Sequence, residues 1–142
     1  MGIIVVGGVL KRNGKYLLVQ EAKNEFRGKW NPPAGRLNPG ENVLEGAKRE
    51  IFEESGFTVK LTGIVKIRNS AITNDSFIGI IFDTDITDSH ENRNRGEILQ
   101  TWWFTYDEIL QMHDELRSYD WIVEAIDAVE HNKVYGIDLI GV

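Results

Sequence analysis

Three glutamates, Glu50, Glu53 and Glu54, stand at positions i, i+3 and i+4 of a segment with helical periodicity. At 3.6 residues per turn they share one arc of that helix. Like charges at this spacing repel by roughly a few tenths of a kcal/mol per pair on an isolated helix. A helix keeps them together at low cost only if a cation sits among them, and Arg49 is expected to screen one of the three at most. Three oxygen donors on one rigid element suit a hard divalent ion, Mg²⁺ or Mn²⁺. Taken alone, Glu-x-x-Glu-Glu equally describes a solvated acidic face with Lys48 and Arg49 as neighbours.

The element that must carry these acids is predicted as a helix over 42–55. Asn42 precedes Glu45 by three residues, as in a capping box. Gly56 ends the helix and Phe57 supplies the apolar contact of a Schellman turn. Leu44, Ala47 and Ile51 form the stripe that faces the core. Ahead of the helix, 23–40 is rich in turn residues and holds all three prolines, Pro32, Pro33 and Pro39. The β-branched run 3–10 fits a strand buried on both faces. Asn13-Gly14 then supplies a hairpin turn into a partner strand, 16–20. Further strands are predicted at 59–67, 77–82 and 100–105, with a solvated loop over 83–96. Helices follow at 106–112 and 119–130, the second with Trp121, Ile122, Ala125, Ile126 and Val129 along its apolar face. The tail, 134–142, is apolar enough to dock as an extended segment. Strands alternating with helices behind an N-terminal hairpin imply an α/β sandwich with a mixed sheet, in a single domain over 1–142.

Composition limits the function classes. The chain has 142 residues and a net charge of −6, with 42% hydrophobic and 27% charged residues, which fits one globular domain. The negative balance argues against binding a nucleic-acid duplex, and at first sight against an anionic substrate. Cysteine is absent, so disulfides, zinc–thiolate centres and thiol nucleophiles are excluded. The apolar start, 1–10, lacks a basic leader and is too short to span a bilayer, so a cytoplasmic protein with no membrane partner is expected.

The segment from Gly35 to Phe57, GRLNPGENVLEGAKREIFEESGF, fits the pattern G-x5-E-x7-R-E-U-x-E-E-x-G-U, with U a bulky apolar residue. Gly35, Glu41, Arg49, Glu50, Ile51, Glu53, Glu54, Gly56 and Phe57 fill its nine defined places. Seven fixed residue types in register arise by chance at about 10⁻⁸ per window. The chain thereby resembles the MutT/Nudix hydrolases, and the likeness extends to Trp30–Pro33 and to the run Trp103 to Ile109. The resemblance implies a Nudix-type α/β/α sandwich whose box binds divalent metal and the diphosphate of a nucleoside diphosphate linked to another group. It assigns metal binding to Glu50, Glu53, Glu54 and the Gly35 carbonyl, and orientation of these groups to Glu41 and Arg49. In this family a glutamate six residues before a tryptophan often adds a ligand or a base. Here that is Glu97, ahead of Trp103 and behind a loop that would let it move, and Glu53 is the other candidate base.

Substrate choice lies outside the box. The chain lacks the downstream proline of ADP-ribose pyrophosphatases, the tyrosine of dinucleoside polyphosphate hydrolases, the upstream motif of coenzyme A hydrolases and the cysteine of isopentenyl diphosphate isomerase. The expected activity is hydrolysis of a nucleoside triphosphate, including oxidised nucleotides, with nucleotide sugars and a non-hydrolytic nucleotide sensor as alternatives. Trp30, Arg27 and Arg36 are candidate substrate contacts, an aromatic to stack on a base and arginines to meet phosphates. Trp102 and Trp103 must point to opposite faces of their strand, and the outward one is a candidate for a pocket wall or a homodimer contact. His90, His113 and His131 show no metal-ligand spacing and are expected at the surface.

Overall fold

A computed structural model describes residues 2–72, 75–91 and 96–142. The β-branched run forms β1 (Gly2–Val9), and its second half is buried throughout. The first half is not: Ile4 is 38% exposed, so burial on both faces begins only at Val6. A turn with positive φ at Asn13 and Gly14 joins β2 (Lys11–Arg12) to β3 (Lys15–Glu21). Two short strands follow, β4 (Trp30–Asn31) and β5 (Ala34–Arg36), before helix α1 (Val43–Ser55). Then come β6 (Phe57–Ile72), β7 (Asp75–Ser89), β8 (Ile98–Thr105), α2 (Tyr106–Leu110) and α3 (Tyr119–Glu130).

Two sheets result. The first runs β5-β1-β7-β6 and is mixed, because β1 lies parallel to β7 while its other neighbours are antiparallel. The second is antiparallel around β3, with β8 along its length and β2 and β4 pairing shorter stretches. Alternation along β1 and β7 divides the core in two. Val6 and Phe82 meet Ala47 of α1. Val9 and Ile81 meet Ile122, Ala125 and Ile126 of α3. The mixed sheet is thus covered on both faces, as the α/β/α sandwich requires. Gly8 lets α1 come close, since a Cβ there would stand 2.7 Å from Ile51 Cδ1. No helix among the described residues is long and apolar enough to cross a membrane.

The structure corrects several expectations. The segment from Asp83 is strand as far as Ser89, paired with the start of β6, and not a solvated loop. Asp83 and Asp85 mask an inward set: Thr84 is buried and donates through Oγ1 to the Val9 carbonyl at 2.8 Å, and Ile86 packs beside Val59. The remainder of that expected loop includes 92–95, which lie outside the described residues. The helix expected over 106–112 ends at Leu110, and a 3₁₀ turn follows at His113–Glu115. The tail docks through a bridge between Tyr135 and Ile64 and then forms a 3₁₀ turn at Ile137–Leu139, so it is only partly extended. Trp102 is 62% exposed, whereas Trp103 turns inward, edge-on to Phe57 with Arg12 over its ring.

A capping box that the sequence reading did not include starts α2. Glu108 N–H donates to Thr105 Oγ1 at 3.1 Å, and Thr105 N–H donates to Glu108 Oε1 at 2.8 Å. Thr105→Ala is expected to lower stability by about 1 kcal/mol, within the usual range for lost caps. Urea unfolding measures it, and an unchanged midpoint would show that the cap contributes nothing.

Candidate active site

The site is assembled where the loop before α1 folds back over that helix. β5 pairs with β1, Gly35 opposite Val6 and Ala34 opposite Gly7, and Gly8 N–H donates to the Pro33 carbonyl at 3.1 Å. These bonds fix the Ala34–Gly35 backbone against α1. Ala34 N–H donates to Glu54 Oε1 at 2.9 Å. Gly35 admits the Glu50 carboxylate into the space that a Cβ would fill, so any larger residue there collides with it. The helix is held in register by Asn42, whose Oδ1 accepts from Glu45 N–H at 3.0 Å, and by Gly56, left-handed at φ 79°.

Arg49 holds the acids together. Its Nε and Nη2 donate to the two oxygens of Glu41 at 2.7 and 2.9 Å. Nη1 donates to Glu50 Oε1 at 2.8 Å and to Glu53 Oε2 at 3.1 Å, and Nη2 reaches the Arg36 carbonyl at 3.1 Å. The expectation that Arg49 screens one box glutamate at most is therefore corrected: the planar fork has enough donors to take two of them and Glu41 as well. The Arg49 hydrogen bonds pull the Glu41 carboxyl down to about 2. Glu50 moves up instead, because burial outweighs its bond to Arg49. Glu54, which Arg49 does not reach through any of these bonds, is pushed up to about 8 by burial, opposed by the Ala34 N–H and reinforced by Glu50, Glu21 and Glu97.

The donor set suits a hard divalent cation: the three carboxylates offer oxygen only, and the Gly35 cradle aligns one of them. Among the described residues no three acids or histidines converge into a finished cage. Arg49 Nη1, bonded to both Glu50 and Glu53, occupies the place between them. A cation that takes those oxygens must share them with Arg49.

The other expected site residues fall at different distances from this centre. Glu97 directly precedes β8 as an exposed side chain paired with Lys23 at 2.7 Å, close enough for its charge to act on Glu54. Residues 92–95, where a loop is expected, are outside the described residues. Trp30 is buried and edge-on to Phe104, so its ring supports the loop from the core and does not offer a free face for stacking. Arg27 is exposed and donates to the Ala22 carbonyl at 2.6 Å, and Arg36 is exposed beside Gly35. His90, His113 and His131 lie at the surface, as expected. Sequence reasoning missed the Ala34 amide, which leaves no side-chain signal, and Glu21, a single acid at the end of an apolar strand.

Comparison with known proteins places the chain in a family. A family model described as NUDIX domain matches residues 2–124. The human 8-oxo-dGDP phosphatase NUDT18 is 30% identical over 116 residues, which cover 80% of this chain and 36% of that protein. The chain thus spans about a third of that relative's length. The phosphatase NudJ of Escherichia coli (strain K12) is 28% identical over 144 residues, 97% of this chain and 90% of that one. Among solved structures, a NUDIX hydrolase from Nitrosomonas europaea superposes with a TM-score of 0.90 at 25% identity, covering 100% of this chain and 97% of that chain.

Glu54 gives the site a pH signature. Its carboxyl is held near about 8 in the folded chain against an ordinary 4.5, so the folded state binds the extra proton between these values. Stability must therefore fall as pH rises through that window. Melting temperature in EDTA is expected to drop between about pH 5 and about pH 8.5, and Glu54→Gln to flatten the slope. Parallel profiles for the two proteins would show that Glu54 is not the group responsible.

Proposed function

The chain belongs to the NUDIX family, and from that membership and the geometry of the site we propose that it hydrolyses a phosphoanhydride bond of a nucleotide with the help of Mg²⁺ or Mn²⁺. The observation that carries this reading is the arc of Glu50, Glu53 and Glu54, the first two bridged by Arg49 and the third held by the Ala34 amide beside the Gly35 cradle. Glu50, Glu53, Glu54 and the Gly35 carbonyl are the groups that would hold the cation, which supplies neutralisation of phosphate oxygens and a lowered pKa for water. Arg49 and Glu41 keep the carboxylates oriented. Glu53, with a side chain 56% exposed, and Glu97 are the two candidates to take the proton as water attacks phosphorus and the bridging P–O bond breaks.

The substrate proposed is a nucleoside di- or triphosphate, with an oxidised guanine nucleotide as the first candidate. The name of the human relative supports that candidate, as an 8-oxo-dGDP phosphatase. Exposed Arg27, ahead of the box, and Arg36, at the end of β5 within it, offer cations to the phosphate chain. The charge of −6 does not oppose such a substrate, because part of it is concentrated where divalent cations would sit.

A panel of normal and oxidised nucleoside di- and triphosphates, nucleotide sugars and dinucleotides, assayed for phosphate and pyrophosphate, tests the proposal. Turnover is expected on at least one nucleotide with Mg²⁺ and none in EDTA. Glu54→Gln is expected to lose most turnover while remaining folded. Of Glu53→Gln and Glu97→Gln, the one that removes the base should cost about 10²–10⁴-fold. Binding of nucleotides with no turnover on any of them would replace hydrolysis with a sensing role.

A further inference from the structure

Glu21 carries a contact that the site described above leaves unexplained. Among the described residues, its Oε2 is the buried side-chain polar atom without a hydrogen-bond partner. The other oxygen is taken, since Arg117 Nη1 donates to Glu21 Oε1 at 2.6 Å. Arg117 is itself fixed: its guanidinium lies 4.0 Å over the Phe26 ring and its N–H donates to the Trp30 carbonyl at 2.9 Å. Held in this way, Arg117 orients the Glu21 carboxylate and leaves Oε2 without a donor.

The position of Glu21 is also specific. The β3–β8 register shifts here, so that Gln20 faces Gln100 but Glu21 faces Ile98, and Ala22 N–H donates to the Glu97 carbonyl at 3.1 Å. Glu21 therefore stands beside the start of the strand that brings Glu97, and its charge acts on Glu54. A carboxylate can only accept, and the phosphate oxygens of a nucleotide are acceptors too. The partner that Oε2 lacks is a hydrogen-bond donor or a cation, and water, which commonly satisfies buried polar atoms lacking a protein partner, is such a donor.

We propose that Glu21 is a positioning residue of this site, its Oε2 accepting a hydrogen bond from water ordered at the box carboxylates and so supporting both cation binding and turnover. The inference rests on the hydrolase reading above. Outer contacts of this kind typically change metal affinity or activity by about 10–100-fold when removed.

Glu21→Gln isolates the effect. Arg117 offers donors only, so the new amide must turn its oxygen to Arg117 and its NH₂ to the place of Oε2. The anchor is kept and the acceptor becomes a donor. Mn²⁺ affinity measured by EPR without nucleotide is expected to weaken about 10-fold or more, and kcat to fall by a similar factor, with KM little changed. Melting temperature in EDTA is expected to change little, because the amide oxygen keeps the Arg117 bond while the desolvation cost of the half-buried charge is removed. Glu21→Asp keeps the charge and withdraws the oxygen, and is expected to weaken Mn²⁺ binding in the same direction should the glutamine variant fail to fold. Wild-type Mn²⁺ affinity and kcat in the variants would overturn the proposal, as would a loss of melting temperature alone. Glu54→Gln separates the two levels: wild-type protein that binds no Mn²⁺ refutes the hydrolase reading, whereas Mn²⁺ binding that depends on Glu54 but not on Glu21 refutes only this inference.

Discussion

One guanidinium keeps three carboxylates from pushing the site apart. Arg49 forks onto Glu41 with two nitrogens and bridges Glu50 and Glu53 with a third. Two like charges about 4 Å apart repel by about 4 kcal/mol at an effective dielectric of 20, far more than helix propensity can offset. Arg49 lies within the acidic arc itself, and its side chain is only 24% exposed, so solvent screens it less than an ordinary surface pair. A lysine there would supply a point charge, not a planar fork, and would have to choose among these partners. Glu54 stands outside the Arg49 bonds described above and is held by a backbone amide.

That amide explains why a sheet matters to a helical site. Ala34 faces Gly7 in the β1–β5 pairing, and the Pro33 carbonyl is held by Gly8 N–H. The same short stretch of β1 thus fixes the loop from one side while Val6 and Val9 anchor opposite layers of the core. Small residues do this work because bulk would separate the layers: Gly8 faces Ile51 of α1, and Gly35 faces Glu50. Packing and chemistry share these few residues.

Much of this was legible in the sequence, for identifiable reasons. The helix bounds, the Asn13-Gly14 turn and the Asn42 cap follow from local rules, and the structure contains each of them. The box glutamates stood out through spacing and register. What was illegible depends on partners distant in sequence. Asp83 and Asp85 gave a strand the composition of a loop, and only pairing with β6 shows that Thr84 and Ile86 face inward. The reach of Arg49 to two box glutamates depends on a side-chain conformation that spacing does not determine. Trp30 beside the box suggested a stacking surface, but its ring is buried in T-shaped contact with Phe104, 74 residues on. Glu21 carries no motif, and its significance comes from Arg117 on the far side of the chain.

The parallel pairing of β1 with β7 has a kinetic consequence. β6 and β7 are neighbours along the chain, and most of their pairing forms by closing a hairpin. β1 must instead find Ser76 to Asp83 across a separation of 74 residues. Loop-closure entropy makes such non-local contacts late and slow relative to local ones. Yet β1 is the strand that seats Pro33 and Ala34, and through them Glu54. The strand that completes the acidic centre is thus itself held by a long-range pairing, and a chain with its helices and hairpins already formed still lacks its site until the first strand arrives.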